Sequence, residues 1–415
     1  MRTLRIGLLL GFRQLQRASL WTNILIVFVM ALTFLNLIAV SGVLVGLITG
    51  AENAVRESAL GDIVITPKDG EDHILQSDRF VRELEVFPEV RAFSVRYQGS
   101  AILEANYKER RDLRGERDIA AVKVTGIDPD RENDMSGLSE SLIDGEYLDP
   151  NEEGYILIGA YYIKEYSAQF GDIFETIETA RPGDTVRLTA GSISKEFIVK
   201  GIIQSKVDDV TLNTYIPERE FRRIFNRVDR NADQIAVSLH EPQANAAVKV
   251  VMVNGGLTEL AKIQTFEEGA PKFITDIKAT MNTLGTFIGS IGLVVASITI
   301  FIIIFINAVA RRRYIGILKG IGIDRRAIEI AYVFQAGTYA LVGSAIGAFL
   351  TYAVFIPYFM AHPIKFPFSD GILVADPFGT FIRFVVLFFV TLIAGYVPAW
   401  MIVRSNTLNA ILGRK

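Results

Sequence analysis

Four long apolar runs divide the chain. Residues 22–48 and 281–309 contain no charged side chain, residues 328–358 carry only Glu329 at one edge, and residues 378–403 carry only Arg383 near one end. About 20 apolar residues suffice to cross the hydrocarbon core of a bilayer, so each run predicts a transmembrane helix. Between the first and second runs the periodicity changes. Short stretches rich in Val, Ile and Tyr at 62–66, 92–104, 120–126, 155–159, 185–189, 196–204 and 234–239 are bounded by Gly, Pro, Asn or Asp and predict strands. Helices are predicted at 77–85, stopped by Phe87-Pro88, at 161–170 and at 217–225, where Pro217 suits a first helical position because its missing N–H costs nothing there. The expected fold is an α-helical membrane protein with four transmembrane helices and a large extracytoplasmic α+β domain.

The first run is longer than the roughly 7–15 apolar residues of a signal peptide and shows no A-x-A cleavage site, so it reads as an uncleaved helix. Ahead of it, in residues 1–21, Leu4, Ile6, Leu8, Leu9, Phe12 and Leu15 alternate with Arg2, Arg5, Arg13 and Arg17, a pattern expected of an amphipathic helix lying in the interface. The link at 310–327 holds Arg311, Arg312, Arg313, Lys319, Arg325 and Arg326 against Asp324, and the tail at 404–415 adds Arg404, Arg414 and Lys415. The loop at 359–377 has only His362 and Lys365 with Asp370 and Asp376. Basic loops stay inside. Both termini and the 310–327 link are therefore expected in the cytoplasm, and residues 49–280 and 359–377 outside, in a multi-pass cell-membrane (inner or plasma membrane) protein.

Composition sharpens this division. Half of the residues are hydrophobic and 21% are charged, and the net charge of −3 conceals a split. Residues 51–280 hold 28 basic and 42 acidic side chains, whereas the remainder holds 15 and 4. An acidic polar domain disfavours nucleic acid as a partner. There is no cysteine, and His73, His240 and His362 lie far apart without an H-x-x-x-H companion, so no metal centre is expected. The stretch from Gly316 to Gly320 lacks the spacing and hydroxyl of a phosphate-binding P-loop. No G-x-S-x-G nucleophile elbow occurs. Asp208-Asp209 has no opposed partner for acid–base work. The chain is therefore not expected to be an enzyme or to hold a cofactor itself. The charge run at 108–118 (KERRDLRGERD) reads as a solvated loop, with a partner-contact surface as the alternative. Asn36, Asn307 and Gln335 suit interhelical hydrogen bonds, and Ala340, Gly343, Gly347 and Ala348 have the small-residue spacing of close helix packing.

The most informative stretch is Arg311-Arg312-Arg313-Tyr314-Ile315-Gly316-Ile317-Leu318-Lys319-Gly320-Ile321-Gly322-Ile323-Asp324. It offers a basic anchor, an amphipathic turn with Ile315, Leu318 and Lys319, two glycines that break the helix, and an aspartate able to cap the next one. It resembles the R-R-R-x-I-G-I-L-K-A-L-G-A signature of FtsX-like permeases, the family that includes MacB-type exporters and the LolC/LolE lipoprotein-releasing subunits. Gly320, Ile323 and Asp324 depart from the usual residues. Gln335-Ala336-Gly337, Gly395-Tyr396-Val397-Pro398-Ala399, Leu408-Asn409-Ala410-Ile411-Leu412, Val124-Thr125-Gly126-Ile127-Asp128-Pro129 and Gly183-Asp184-Thr185-Val186 are similar to further motifs of that family.

The resemblance implies a porter-like external domain with a second subdomain inserted at roughly 125–215. It also implies pairing with a second copy or paralogue, and a separate cytoplasmic ABC ATPase that binds the ATP. Arg311, Arg312, Arg313, Ile315, Gly316, Leu318, Lys319 and Gly322 would form the segment that docks on the ATPase, while Gln335, Gly343 and Gly347 pack helices. Work outside the membrane on an amphiphile, lipoprotein or peptide, with a periplasmic adaptor or lipoprotein as a further partner, is the expectation. The alternative is an FtsX-type mechanical signal to an external cell-wall hydrolase.

Overall fold

The computed structural model describes residues 2–108, 117–168, 175–310, 312–362, 364–366, 369–371 and 373–404. The chain divides into two compact units, one of Met1–Gly50, Asp276–Phe366 and Asp370–Lys415, the other of Ala51–Thr275 with Pro367–Ser369.

The first unit is helical: α1 (Arg2–Arg17), α2 (Leu20–Val55), α3 (Lys272–Ala310), α4 (Arg312–Gly320), α5 (Arg325–Leu350) and α6 (Pro377–Val403). Of these, α2, α3, α5 and α6 are long and apolar enough to cross a membrane. In lipid every backbone N–H and C=O needs a partner within the segment, and unbroken helices supply it. Two helices run beyond the apolar stretches that signal them. α2 passes residue 48 to Val55 and closes in a π turn at Arg56–Leu60. α5 gives way to a π turn at Thr351–Phe355 and a last helical segment at Ile356–Ala361. Hydrophobicity marks where lipid contact stops, whereas backbone hydrogen bonding decides where the helix stops.

The sequence places α1 flat in the interface, and the structure adds that it packs on α5. A Cβ on Gly7 would lie 2.7 Å from Ile330 Cγ2, and one on Gly11 2.8 Å from Phe334 Cδ1. Leu4, Leu9 and Phe12 remain exposed on the other side. Close approach through small residues recurs between α5 and α2, where a Cβ on Gly343 would meet Met30 Cβ at 2.4 Å and one on Gly347 the Ala31 carbonyl at 2.9 Å. Gly343→Ile is therefore expected to lower the stability of the detergent-purified chain by about 1–3 kcal/mol through overpacking. Gly320→Ala is the control, because a Cβ there meets nothing within 4 Å. Equal melting temperatures for the two variants would contradict the packing.

The second unit is α+β. Its strands are β1 (Ile63–Thr66), β2 (Val90–Glu104), β3 (Ile119–Ile127), β4 (Leu142–Gly145), β5 (Tyr155–Gly159), β6 (Thr185–Ala190), β7 (Ile193–Ile203), β8 (Thr214–Pro217), β9 (Gln234–Leu239) and β10 (Lys262–Thr265). The order is β10-β1-β9-β2-β3-β8-β5-β7-β4, and β6 joins β2 to β7. The ring β2-β3-β8-β5-β7-β6 thus closes on itself as a small barrel, which leaves no free edges in that ring. Along β6, Val186, Leu188 and Ala190 are buried while their neighbours are not, the alternation a barrel wall requires. β2 serves two layers. Its first half pairs with β9 in the antiparallel sheet and its second half, from Tyr97, pairs with β3 and β6. The inserted layer therefore starts at Tyr97, earlier than the 125 expected from the sequence.

Other differences are local. Pro217 ends β8, and the helix follows at Glu218–Ile224. The helix expected at 161–170 is reduced to a 3-10 turn, Ala160–Tyr162, and Lys164–Ser167, with residues 169–174 outside the described residues. Of the charged run at 108–118, residues 109–116 lie outside the described residues, while Lys108 pairs with Glu196 at 3.2 Å and Arg117 with Glu104 at 3.3 Å. Asp209 forms an ion pair with Lys123 at 3.1 Å.

Within this unit a buried ion pair holds the π turn Arg56–Leu60. Arg96 on β2 meets Glu132, on the helix Pro129–Ser136, through Nη2–Oε1 at 2.6 Å and Nε–Oε2 at 2.9 Å. The hydroxyls of Ser94 and Ser136 also donate to Glu132, at 2.6 and 2.8 Å. The remaining guanidinium nitrogen of Arg96 donates to the Ala59 carbonyl in the turn.

Candidate functional site

The basic link folds as a helix, a tight stop and a second helix. α4 is amphipathic. Ile315 and Leu318 face the bundle core and are buried, together with Gly316. They share that core with Ile328, Tyr332, Ala399 and Val403. The helix ends because Gly322 takes φ +88°. There the Ile323 N–H donates to the Leu318 carbonyl at 3.0 Å and the Gly322 N–H to the Lys319 carbonyl at 3.1 Å. This is a Schellman closure, which favours glycine at the left-handed position. Gly320, the other glycine expected to break the helix, is its last residue and has no positive φ. Asp324 then caps α5, its carboxylate accepting from the Arg326 N–H at 3.1 Å.

Lys319 anchors the helix from the side. Its Nζ donates to the Val403 carbonyl at 2.8 Å, at the C-terminal end of α6, where a cation is favoured by the helix dipole. Burial, and then the nearby charge of Arg325, push its pKa below the usual lysine value. Farther along α5, Gln335 donates to Gln14 of α1 at 2.6 Å, and Tyr339 to Asn23 of α2 at 2.6 Å. Asn23 in turn donates to the Leu15 carbonyl at 2.9 Å. The foot of the bundle is thus pinned by side-chain hydrogen bonds around a polar cavity of about 160 Å³.

The residues singled out from sequence separate into two groups. Ile315, Gly316, Leu318 and Lys319 hold the hairpin to the bundle and offer little surface, Gly322 shapes the turn, and Gln335, Gly343 and Gly347 join helices. Arg313 is exposed, Arg312 begins α4, and Arg311 lies outside the described residues. The outward face belongs to Tyr314, Ile317 and Ile321, which are 46%, 47% and 71% exposed. Sequence reasoning passed over these three as site residues. Their i, i+3, i+7 spacing was the available signal, but the interleaved apolar set at 315 and 318 competes with it, and periodicity alone does not tell which stripe faces the core. Gly7, Gly11 and Gln14 were also missed, although Gly7 and Gly11 have the spacing of a helix-packing pair. Among the described residues, Arg313, Arg325 and Arg326 around the exposed face make no ion pair, so the surface combines apolar anchors with free positive charge.

Four helices long and apolar enough to cross a membrane, with an α+β domain between the first two and a basic hairpin between the second and third, define the class: a multi-span helical protein with a large domain inserted after its first span. Residues 286–407 match the family described as FtsX-like permease C-terminal. The chain is similar to the macrolide export ATP-binding/permease protein MacB of Campylobacter jejuni strain 81-176, 23% identical over 231 residues, covering 52% of this chain and 34% of that protein. It is likewise similar to MacB of Burkholderia thailandensis, 25% identical over 223 residues, covering 52% and 33%. The chain thus spans about a third of the length of these curated relatives. Among solved structures, the extracellular domain of the noncanonic ABC-type transporter YknZ from Gram-positive bacteria aligns with a TM-score of 0.33 and 14% identity, over 49% of this chain and 98% of that one. The periplasmic region of MacB from Actinobacillus actinomycetemcomitans aligns with a TM-score of 0.34 and 16% identity, over 51% and 92%.

Proposed function

We propose that this chain is the transmembrane subunit of an ABC transporter whose ATP is bound and hydrolysed by a partner ATPase. The observation that carries the reading is the exposed Tyr314–Ile317–Ile321 face beside Arg313, Arg325 and Arg326, which make no ion pair among the described residues, on a hairpin matched to the FtsX-like family. Such a surface suits a partner groove with apolar floor and acidic rim. Lys319 and the buried Ile315 and Leu318 make the hairpin part of the bundle, so a push on its outer face moves the spans rather than bending a loop. The permease pairs with a second copy or paralogue. Both termini and the hairpin face the cytoplasm, and the α+β domain lies outside, where it works on an amphiphile, lipoprotein or peptide with or without an adaptor. The sparse charge of the spans favours mechanical transmission over passage through a hydrated pore.

Two measurements test this. The chain has no native cysteine, so a single cysteine at Ile321 and another at Glu241 report sidedness with a membrane-impermeant maleimide. Labelling of both from the same side would end the proposal. Co-expression with an ABC ATPase encoded beside it is expected to give a complex that hydrolyses ATP, and recovery of the permease alone under gentle detergent would count against it.

A further inference from the structure

We infer that the half of the helical bundle nearest the large domain in sequence carries a binding groove for an anionic phospholipid, with Arg383 as the phosphate ligand. α2, α3 and α6 leave between them a cavity of about 470 Å³ whose walls include Leu37, Ser41, Gly285, Gly289, Val386 and Arg383. This lies within the roughly 300–1,000 Å³ of small-molecule sites. Its lining comes from the C-terminal half of α2, the N-terminal half of α3 and the N-terminal half of α6. Those three stretches occupy one leaflet if the helices span the bilayer, and apart from Arg383 the lining is apolar except for the hydroxyl residues Ser41, Thr286 and Ser290.

Arg383 does not fit an apolar wall unless something neutralises it. It is half-buried, and among the described residues it has no hydrogen bond and no ion pair. Asp376 directs a carboxylate oxygen to the Gly379 N–H at 2.6 Å, capping the start of α6. Although a Cβ on Gly379 would lie 3.3 Å from that oxygen and 3.0 Å from Arg383 Nη1, the neighbouring acid and guanidinium do not form an ion pair. A guanidinium within a span costs a few kcal/mol unless it pairs or reaches the interface, and phosphate is the anion its planar fork of donors matches best. A second copy of the bundle would not supply the counter-charge at this depth, because residues 22–48, 281–309 and 378–403 contain no Asp or Glu and Glu329 lies at the end of 328–358 that adjoins the basic hairpin. The lipid leaflet does supply it, together with an acyl chain for the apolar floor. Phe287, Ile288, Ile291 and Ile382 are exposed around the groove, so a lipid can enter sideways.

Gly289 gives an independent handle. A Cβ there would meet only Leu37 Cδ1 at 3.7 Å, an ordinary contact, so a larger side chain can be built without clash and fills the groove. The test uses the full-length chain, delipidated in detergent and mixed with phosphatidylglycerol, with diacylglycerol, or with inorganic phosphate, and reads bound lipid by native mass spectrometry. Phosphatidylglycerol is expected to be retained, and neither diacylglycerol nor phosphate alone. Arg383→Gln should weaken retention about tenfold or more, Arg383→Lys should keep part of it, and Gly289→Leu should remove it with Arg383 intact. Unchanged retention by Arg383→Gln or by Gly289→Leu, or a disulfide between two copies through Gly289→Cys, would overturn the proposal. The reading requires no ATPase, so its outcome is separate from that of the transporter assignment.

Discussion

Glu132→Gln is expected to destabilise the α+β unit by about 3–5 kcal/mol, the usual cost of removing one partner from a buried ion pair. Glu132 is 1% exposed and Arg96 7%, so the arginine left behind has no water to turn to. The effect also reaches the backbone, since the same guanidinium donates to the Ala59 carbonyl and so fixes the π turn that follows α2. Burial alone would push the Glu132 pKa up, but the Arg96 charge and the hydrogen bonds from Arg96, Ser94 and Ser136 outweigh it and hold the carboxyl below its usual value. A depressed carboxyl pKa stabilises above the unfolded value of about 4.3 and loses that contribution as pH falls through the folded value. The stability gap between the native chain and Glu132→Gln should therefore narrow below about pH 4. Chemical unfolding of the detergent-purified chain at neutral and acid pH measures both. The double variant Arg96→Met/Glu132→Leu should recover much of the loss, because well-packed apolar replacements of a buried pair are often neutral. A cost under about 1 kcal/mol for Glu132→Gln would mean the pair is solvated and does not hold the turn.

How far the sequence revealed this depends on the kind of signal. The four spans are legible because an uncharged run such as 281–309 admits few alternatives in water. The long strands were legible from their β-branched runs, and β2 and β7 were placed close to where they lie. Of the four-residue strands, β1 was legible because Ile63-Val64-Ile65 is an unbroken β-branched run, whereas β4, β8 and β10 mix apolar residues with Asp, Gly, Pro, Lys or Gln and were not. The division of β2 between two layers was also hidden, because register with distant strands decides it and nothing local encodes it. At the hairpin, the composition announced a basic amphipathic turn, but the choice of inner stripe came from packing against Ala399 and Val403, far along the chain. Arg96 and Glu132 show the limit most clearly. Arg96 shares a mostly apolar strand with Arg91 and Glu104, Glu132 is one of several charges in a short helix, and only the fold brings them together.

Ile317→Asp is expected to weaken the permease–ATPase complex by about 2–4 kcal/mol, roughly 30- to 1,000-fold in Kd, while leaving the permease itself as stable as before. Ile317 is half exposed on the outer face of α4, between Tyr314 and the Ile321 that follows the helix, so the new carboxylate stays hydrated in the free protein and is buried only on docking. Ile315→Asp should behave in the opposite way. That side chain is 2% exposed in the bundle core, and a charge placed there lowers stability by several kcal/mol before any partner is met. Arg313→Ala and Arg325→Ala remove rim charges, and should slow association and reduce its salt dependence with a smaller effect on dissociation. Affinity measured by biolayer interferometry and stability measured by thermal unfolding, on the same preparations, separate the three classes. If Ile317→Asp binds the ATPase as tightly as the native chain while Ile315→Asp does not, docking does not use the outward face, and the hairpin matters only as a brace of the bundle.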